Sequence, residues 1–316
     1  MKDKTKIIVL LVILIALCLA FILPNLTAEN YRFFLSQRVP KVAAIILTGF
    51  AIAFSSVLFQ TVTNNRILTP ATLGLDALYL LIQTATVFAL GSASILVISK
   101  NVNFLFSAAI MIFLSIVLFR VMLNRNNPNL IYLILVGTIF GQLFRTLAYF
   151  LLMIISPSEF TSLQNKMFAS FSNINTNIVW LAAGIFAVVL IYIFRDLKKF
   201  DVMALGRDHA VSLGIEHEKI VRKTFIVSAV LVSAATALVG PIAFLGLMVS
   251  NVARQMARTH RHAVIIALSV LSSAVFLLGG QLFIERVLSF DTTVTVVVNF
   301  VGGLYFIWLL LRETKI

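Results

Sequence analysis

The chain has 316 residues, of which 60% are apolar and 12% charged, with a mean hydropathy of +1.04. A soluble domain carries about 45–50% apolar and about 25% charged residues, so a soluble enzyme, a disordered chain and a disulfide scaffold are excluded. Roughly 190 apolar residues, at about 20 per membrane-spanning helix, predict about eight to ten spans and leave no sizeable polar domain. The net charge of +13 would point to nucleic acid in a soluble protein. Here it reads as orientation information, because Lys and Arg collect on cytoplasmic loops.

Lys2, Lys4 and Lys6 precede an apolar run over 7–23. A signal peptide looks similar, but this run exceeds a typical h-region and no A-x-A-like site follows, so it reads as the first span. Cys18 lies within it, reads as membrane filler, and excludes a disulfide within the chain. Charge-free runs follow over 42–65, 77–99, 101–119, 167–194, 224–253, 262–284 and 292–311, and a run over 130–158 is interrupted only by Arg145. Gly240-Pro241 breaks the run over 224–253 into one full and one short helix. Polar Ser170, Ser172, Asn173 and Asn175 push the start of the sixth span to near Asn177. The expectation is an all-α membrane protein of about ten helices, one domain over 1–316.

With the N-terminus cytoplasmic, the inside segments hold eighteen Lys and Arg and the outside segments six (Arg32, Arg38, Lys41, Lys100, Lys166 and Arg286). That asymmetry predicts both termini in the cytoplasm. Asp76 and Asp291 sit at span edges and no carboxylate is expected deep in a span. A buried acid is the usual relay of a proton-coupled carrier, so this argues against secondary transport.

No G-x-x-x-x-G-K-[ST] loop, H-E-x-x-H or G-x-S-x-G is present, which excludes nucleotide binding by that loop and the corresponding hydrolytic sites. His260 and His262 read as part of a solvated basic loop, and neither a metal nor a cofactor is expected. The longest polar interruption is 195–223. Within it Gly206, Ala210 and Gly214 recur every four residues, so on one helix they would share a face that another surface could approach closely.

At these residues the chain resembles the FecCD-type permease subunits of ATP-binding-cassette importers for iron-siderophores and cobalamin. The stretch from Gly240 to Arg254 is similar to the family's G-P-I-G-F-x-G-L-x-x-P-H-x-x-R. It keeps Gly240, Pro241, Gly246 and Arg254, and departs at Ala243, Ser250 and Asn251. Residues 205–215 resemble the coupling segment L-G-x-x-x-A-x-x-L-G. Arg38-Val39-Pro40-Lys41 resembles the R-x-P-R that opens the second span. Gln60 to Gly74 resembles Q-x-x-x-x-N-P-L-A-x-P-x-x-L-G through Asn65, Pro70 and Gly74, with Arg66 for Pro. That variant resembles the branch serving catecholate-type siderophores such as petrobactin, in which two different permeases pair. Toward the C-terminus Asp291 stands where the family has an acid, while Thr293, Thr295 and Leu304 replace Pro, Gly and Pro.

The resemblance implies a cytoplasmic-membrane subunit that performs no catalysis. Its implied partners are a second permease, two ATP-binding subunits and an extracytoplasmic siderophore-binding protein, with a ferric siderophore as cargo. It assigns ATPase coupling to Leu205, Gly206, Asp208, Ala210, Leu213 and Gly214. Docking of the binding protein falls to Arg38, Lys41 and Arg286; for Arg38 and Lys41, interfacial snorkelling explains the residues equally. Arg145 in the fifth span faces either the pathway, with Gln60 and Asn64, or a structural partner, because a mid-bilayer Arg costs about 2.5–3.5 kcal/mol. The rival readings are a cobalamin or haem importer of the same architecture, an ion-coupled secondary carrier and a polytopic membrane enzyme.

Overall fold

A computed structural model describes residues 2–24, 30–123, 130–164, 166–171, 174–288 and 292–313. Among them every regular element is helical: α1 (Asp3–Ile22), α2 (Tyr31–Val62), α3 (Leu75–Leu90), α4 (Ile95–Ile98), α5 (Lys100–Leu123), α6 (Leu130–Ile154), α7 (Pro157–Gln164), α8 (Thr176–Phe194), α9 (Lys199–Met203), α10 (Arg207–Ser212), α11 (His217–Val239), α12 (Leu245–Met256), α13 (His262–Arg286) and α14 (Val294–Glu313), with one 3-10 turn at Ala71–Leu73. Seven of these, α1, α2, α5, α6, α8, α11 and α13, are long and apolar enough to cross a membrane; α3 and α14 are shorter apolar helices.

The second span is longer than the charge pattern predicts. It begins at Tyr31, not near Val42, and Pro40 lies inside it. Pro40 has no N–H to donate to the carbonyl one turn earlier, yet the helix continues through Lys41 into the apolar run that begins at Val42. The run over 77–99 divides, because Gly91 (φ 76°) ends α3 and α4 follows as a separate short helix. The sixth span starts where expected: the Asn175 side chain accepts from the Asn177 backbone N at 2.9 Å and caps α8. Gly240 (φ 103°) ends α11 as Gly240-Pro241 predicts. A side chain at Gly240 would also collide with the Ala169 and Phe168 backbone.

Helix α2 is the axis of the fold, packed against α11, α13, α12, α8 and α1. In its most apolar stretch 78% of residues are buried, against 6% in α1, which faces outward. Lipid offers apolar side chains no less than the interior does, so close backbone approach does the packing. Gly49 lets α2 meet Ser273 and Ala274 of α13, Gly246 of α12 sits against Ser56, and Gly137 and Gly141 of α6 sit against Leu73 and Gly74. Phe59, Phe119 and Phe225 interlock α2, α5 and α11 at centroid distances of 4.7–6.2 Å.

One end of the bundle gathers the start of α1, the ends of α2 and α12, α9, α10 and the starts of α11 and α13. There Asp3 Oδ1 accepts from the Arg258 backbone N and Lys6 Nζ donates to the Met256 carbonyl. At the other end Arg38 donates to the Ile22 and Pro24 carbonyls, Lys166 to Val97, and Ser170 N to Val239.

Candidate functional site

The segment between α8 and α11 folds as α9, a turn at Gly206, α10 and a second turn at Gly214. Gly206 (φ 96°) and Gly214 (φ 80°) hold backbone conformations that favour glycine. The Ile215 N–H returns to the Ala210 carbonyl at 3.0 Å, closing a Schellman-type end. This corrects the shared-face expectation. Helix α10 is six residues long, so the glycines lie at its two ends while Ala210 is fully buried. The outward surface is Leu205, Val211 and Leu213, at 58%, 55% and 63% exposure, with Asp208 exposed beside them. The glycines shape the element and the leucines present it.

Two polar links tie this element to the spans. Asp196 accepts from Lys199 at 2.7 Å and Lys223 at 2.5 Å, joining the start of α9 to α11. Burial pushes the Asp196 carboxyl up, but its bonds to Lys199 and Lys223 outweigh this and hold it below the usual carboxylate range. Asp201 Oδ1 accepts from His262 through its backbone N at 2.6 Å and its Nδ1 at 2.8 Å. His262 Nε2 reaches Thr61 Oγ1 at 2.9 Å, and Arg254 Nη2 donates to the same oxygen at 3.2 Å. The chain Asp201–His262–Thr61–Arg254 therefore joins α9 to α13, α2 and α12. His262 is 1% exposed at the first position of α13, not part of a solvated loop. Sixty-one residues separate it from Asp201, so no sequence spacing signalled the pair.

The loop after α2 is a folded junction. Asn64 is exposed with φ 47°. Asn65 Oδ1 accepts from the backbone N of Ile67 at 2.7 Å and Leu68 at 3.3 Å. Pro70 caps the 3-10 turn, and Gly74 (φ 96°) opens α3 against Gly141. Arg66, which stands for the family's Pro, offers its carbonyl to Gln60 Nε2 at 2.7 Å and Asn251 Nδ2 at 3.0 Å. Gln60, expected in the pathway, is instead 2% exposed and holds this junction closed. The departure at Asn251 thus fastens α12 to the loop. The departure at Thr295 acts similarly: its Oγ1 accepts from Ala169 N at 2.6 Å and donates to the Pro241 carbonyl at 3.4 Å. Asp291 lies outside the described residues.

Of the three cations expected to dock a binding protein, Arg38 is occupied within the fold. Its Nη1 donates to the last carbonyl of α1, at Ile22, and to that of Pro24 just beyond, and its guanidinium sits 4.5 Å from the Phe34 ring centroid. Lys41 is half-buried on α2. Arg286 is exposed at the end of α13, and Glu285 accepts from Gln281 Nε2 at 2.8 Å rather than pairing with it. Arg145 is exposed on α6, on a face shared with Gln142, Thr146 and Tyr149. Asp76 keeps its expected place at the edge of a span but is more enclosed than that place suggests. Both its oxygens are buried and unpartnered among the described residues, in the first turn of α3. Its place in the first turn sets it at the positive end of that helix. The case against a secondary carrier therefore cannot rest on a missing buried acid.

The sequence matches the profile of the FecCD transport family over residues 5–312. It is 50% identical over 315 residues to the petrobactin import system permease protein YclO of Bacillus subtilis (strain 168), covering 100% of this chain and 99% of that protein. It is 31% identical over 277 residues to the petrobactin import system permease protein FatC of Bacillus anthracis, covering 88% and 78% respectively. A solved transporter of metal-chelate type, in an inward-facing conformation, superposes with a TM-score of 0.81 at 18% identity. That match covers 98% of this chain and 100% of the solved one, and it bears on the fold alone.

Proposed function

Because the chain belongs to the FecCD transport family, the permeases of ATP-driven siderophore importers, we propose that its cargo is a ferric catecholate-type siderophore of the petrobactin class. The observation that carries this is the 50% identity to a petrobactin permease across 315 residues. In this reading the chain is one membrane domain in which α3, α12 and α14 complete ten spans with the seven long helices. Both termini and the α9–α10 element lie in the cytoplasm. The eighteen-to-six distribution of Lys and Arg supports that orientation. So does the gathering of α9, α10, Arg254 and Arg258 at the end that also holds the N-terminus.

A pair of ATP-binding subunits docks on Leu205, Val211 and Leu213 and supplies the energy. Their closure tilts the spans through Asp196–Lys223 and Asp201–His262 as a rigid-body movement. The binding protein docks at the opposite end, where Arg286 and Lys41 remain as steering charges; Arg38 holds α1 to α2. A second, different permease covers the exposed faces of α6 and α14. Arg145 then faces that partner and the central pathway, where an anionic chelate benefits from a cation.

The test is uptake of radioactive iron by a strain lacking its own siderophore permeases and supplied with this chain and its partner subunits. Ferric petrobactin should enter, vanadate should abolish entry, and a protonophore should leave the initial rate in place. Entry of cobalamin or haem in its place, or loss of entry with the protonophore alone, would refute the assignment.

A further inference from the structure

The α8–α11 pair carries two adjoining recesses, the first bordering the proposed ATPase-docking surface at Val211. The first is a cavity of about 960 Å³ at the end of the bundle that holds α9 and α10, bounded by the end of α8, α10 and the first turns of α11. Five cations line it (Lys199, Arg207, Lys219, Arg222 and Lys223) against the three carboxylates of Asp196, Glu216 and Glu218. The carboxylates are engaged: Asp196 serves both Lys199 and Lys223, Glu216 faces Lys219, and Glu218 lies 3.7 Å from Arg207. Arg222 is exposed and makes no hydrogen bond or ion pair among the described residues. One carboxylate shared by two lysines, plus Arg222, leaves two positive charges uncompensated.

The second recess is an apolar groove of about 570 Å³ running up the exposed side of α8 and α11 between Gly184, Val188, Val189 and Val230. Tyr192 and Ile226 line both recesses, so the groove opens directly into the basic cavity. At the junction Lys223 Nζ lies 3.9 Å from the Tyr192 ring centroid. From Tyr192 to Gly184 the groove rises about 12 Å, most of the roughly 15 Å of hydrocarbon in one leaflet. Val188 and Tyr192 are 68% and 54% exposed, and Gly184 leaves open space where a side chain would stand.

We propose that this composite recess binds an anionic phospholipid, its phosphate in the basic cavity and an acyl chain in the α8–α11 groove. Charge complementarity selects the occupant. A zwitterionic lipid fills the groove equally well but brings a choline or ethanolamine cation toward Arg222. A protein partner would answer the charge but would leave unfilled an apolar groove lying at membrane depth. The cytoplasmic leaflet, where the proposed orientation sets this end, is the one rich in anionic lipid. Because Asp196, Lys199 and Lys223 also anchor α9, a bound phosphate would stiffen the link between the coupling element and α11.

The test uses the intact importer complex equilibrated with vesicles of equal phosphatidylglycerol and phosphatidylcholine, then examined by native mass spectrometry for retained lipid and for subunits. Wild type should retain phosphatidylglycerol in about fivefold preference for one engaged cation. Arg222→Glu should abolish that preference through the head group. Gly184→Leu should abolish it by filling the groove, without touching the core. Equal retention of both lipids by wild type, or an unaltered preference in both variants, overturns the proposal. So does loss of the ATP-binding subunit in Arg222→Glu with a wild-type lipid ratio in Gly184→Leu, which would assign the cavity to the ATPase. No transport is measured, so the outcome is independent of which chelate the importer carries.

Discussion

Replacing Asp201 cuts the polar link from α9 to α13 and α2 while leaving the Asp196–Lys223 link to α11 and the proposed docking surface intact. Asp201 Oδ1 takes two hydrogen bonds from His262, through the backbone N and Nδ1. Asp201→Ala removes the one oxygen that accepts both bonds. The imidazole is 1% exposed and cannot turn to water, so its orphaned N–H costs about 1–3 kcal/mol. The backbone N lies beside a side chain that is 40% exposed, so water recovers part of that loss, and the sum is about 2–4 kcal/mol. Asp201→Asn keeps one acceptor oxygen and loses only the charge, for about 1 kcal/mol. Thermal unfolding of the purified complex should therefore rank wild type and Asp201→Asn close together and Asp201→Ala well below. Iron uptake per ATP hydrolysed should fall in Asp201→Ala, because α9 would move without carrying α13 and α2, while ATPase co-purification persists. Equal damage from both variants would show that the charge, not the acceptor, holds the joint. Wild-type uptake per ATP in Asp201→Ala would refute the transmission route.

Leu213→Asp places a charge on the exposed surface of the coupling element and should release the ATP-binding subunit on co-purification, with the thermal stability of the permease itself unchanged. Gly246→Ala would bring a methyl group to 2.1 Å from Ser56 Oγ; overpacking of this kind costs about 1–3 kcal/mol, and Ser56→Gly in the same chain should recover most of it. Asp196 has its carboxyl held low, so its stabilisation is full above the unfolded value of about 3.9 and is lost as pH falls through the folded value. Hydrogen exchange at 196–203, corrected for the chemical rate, should be flat from pH 7 to about 4 and accelerate below. Arg286→Glu should slow association of the binding protein and flatten its salt dependence, whereas Arg38→Glu should instead loosen α1 from α2, read as a lower unfolding temperature.

What the sequence could disclose divides along a physical line. Span positions follow from continuous apolar runs, because lipid imposes its requirement on every residue of a crossing segment. Breaks such as Gly240-Pro241 follow from backbone chemistry that acts within one or two residues. The start of α2 escaped because charges at Arg32, Arg38 and Lys41 look like a loop, while a helix reaching the interface tolerates them. The polar joints escaped for a different reason. Asp201 and His262, or Asn251 and the Arg66 carbonyl, meet only after helices pack, and each residue alone resembles an ordinary solvated side chain. The period of four in Gly206, Ala210 and Gly214 was a true regularity attached to the wrong cause. It predicts a smooth helical face only if the helix runs through all three, and α10 covers just six residues. Glycines at φ 96° and 80° end helices rather than line them. The same spacing then sets how far apart the two turns lie, and so which leucines project outward. The proposed docking surface thereby consists of residues that the repeat passes over, and Val211, absent from the motif, stands between them at 55% exposure.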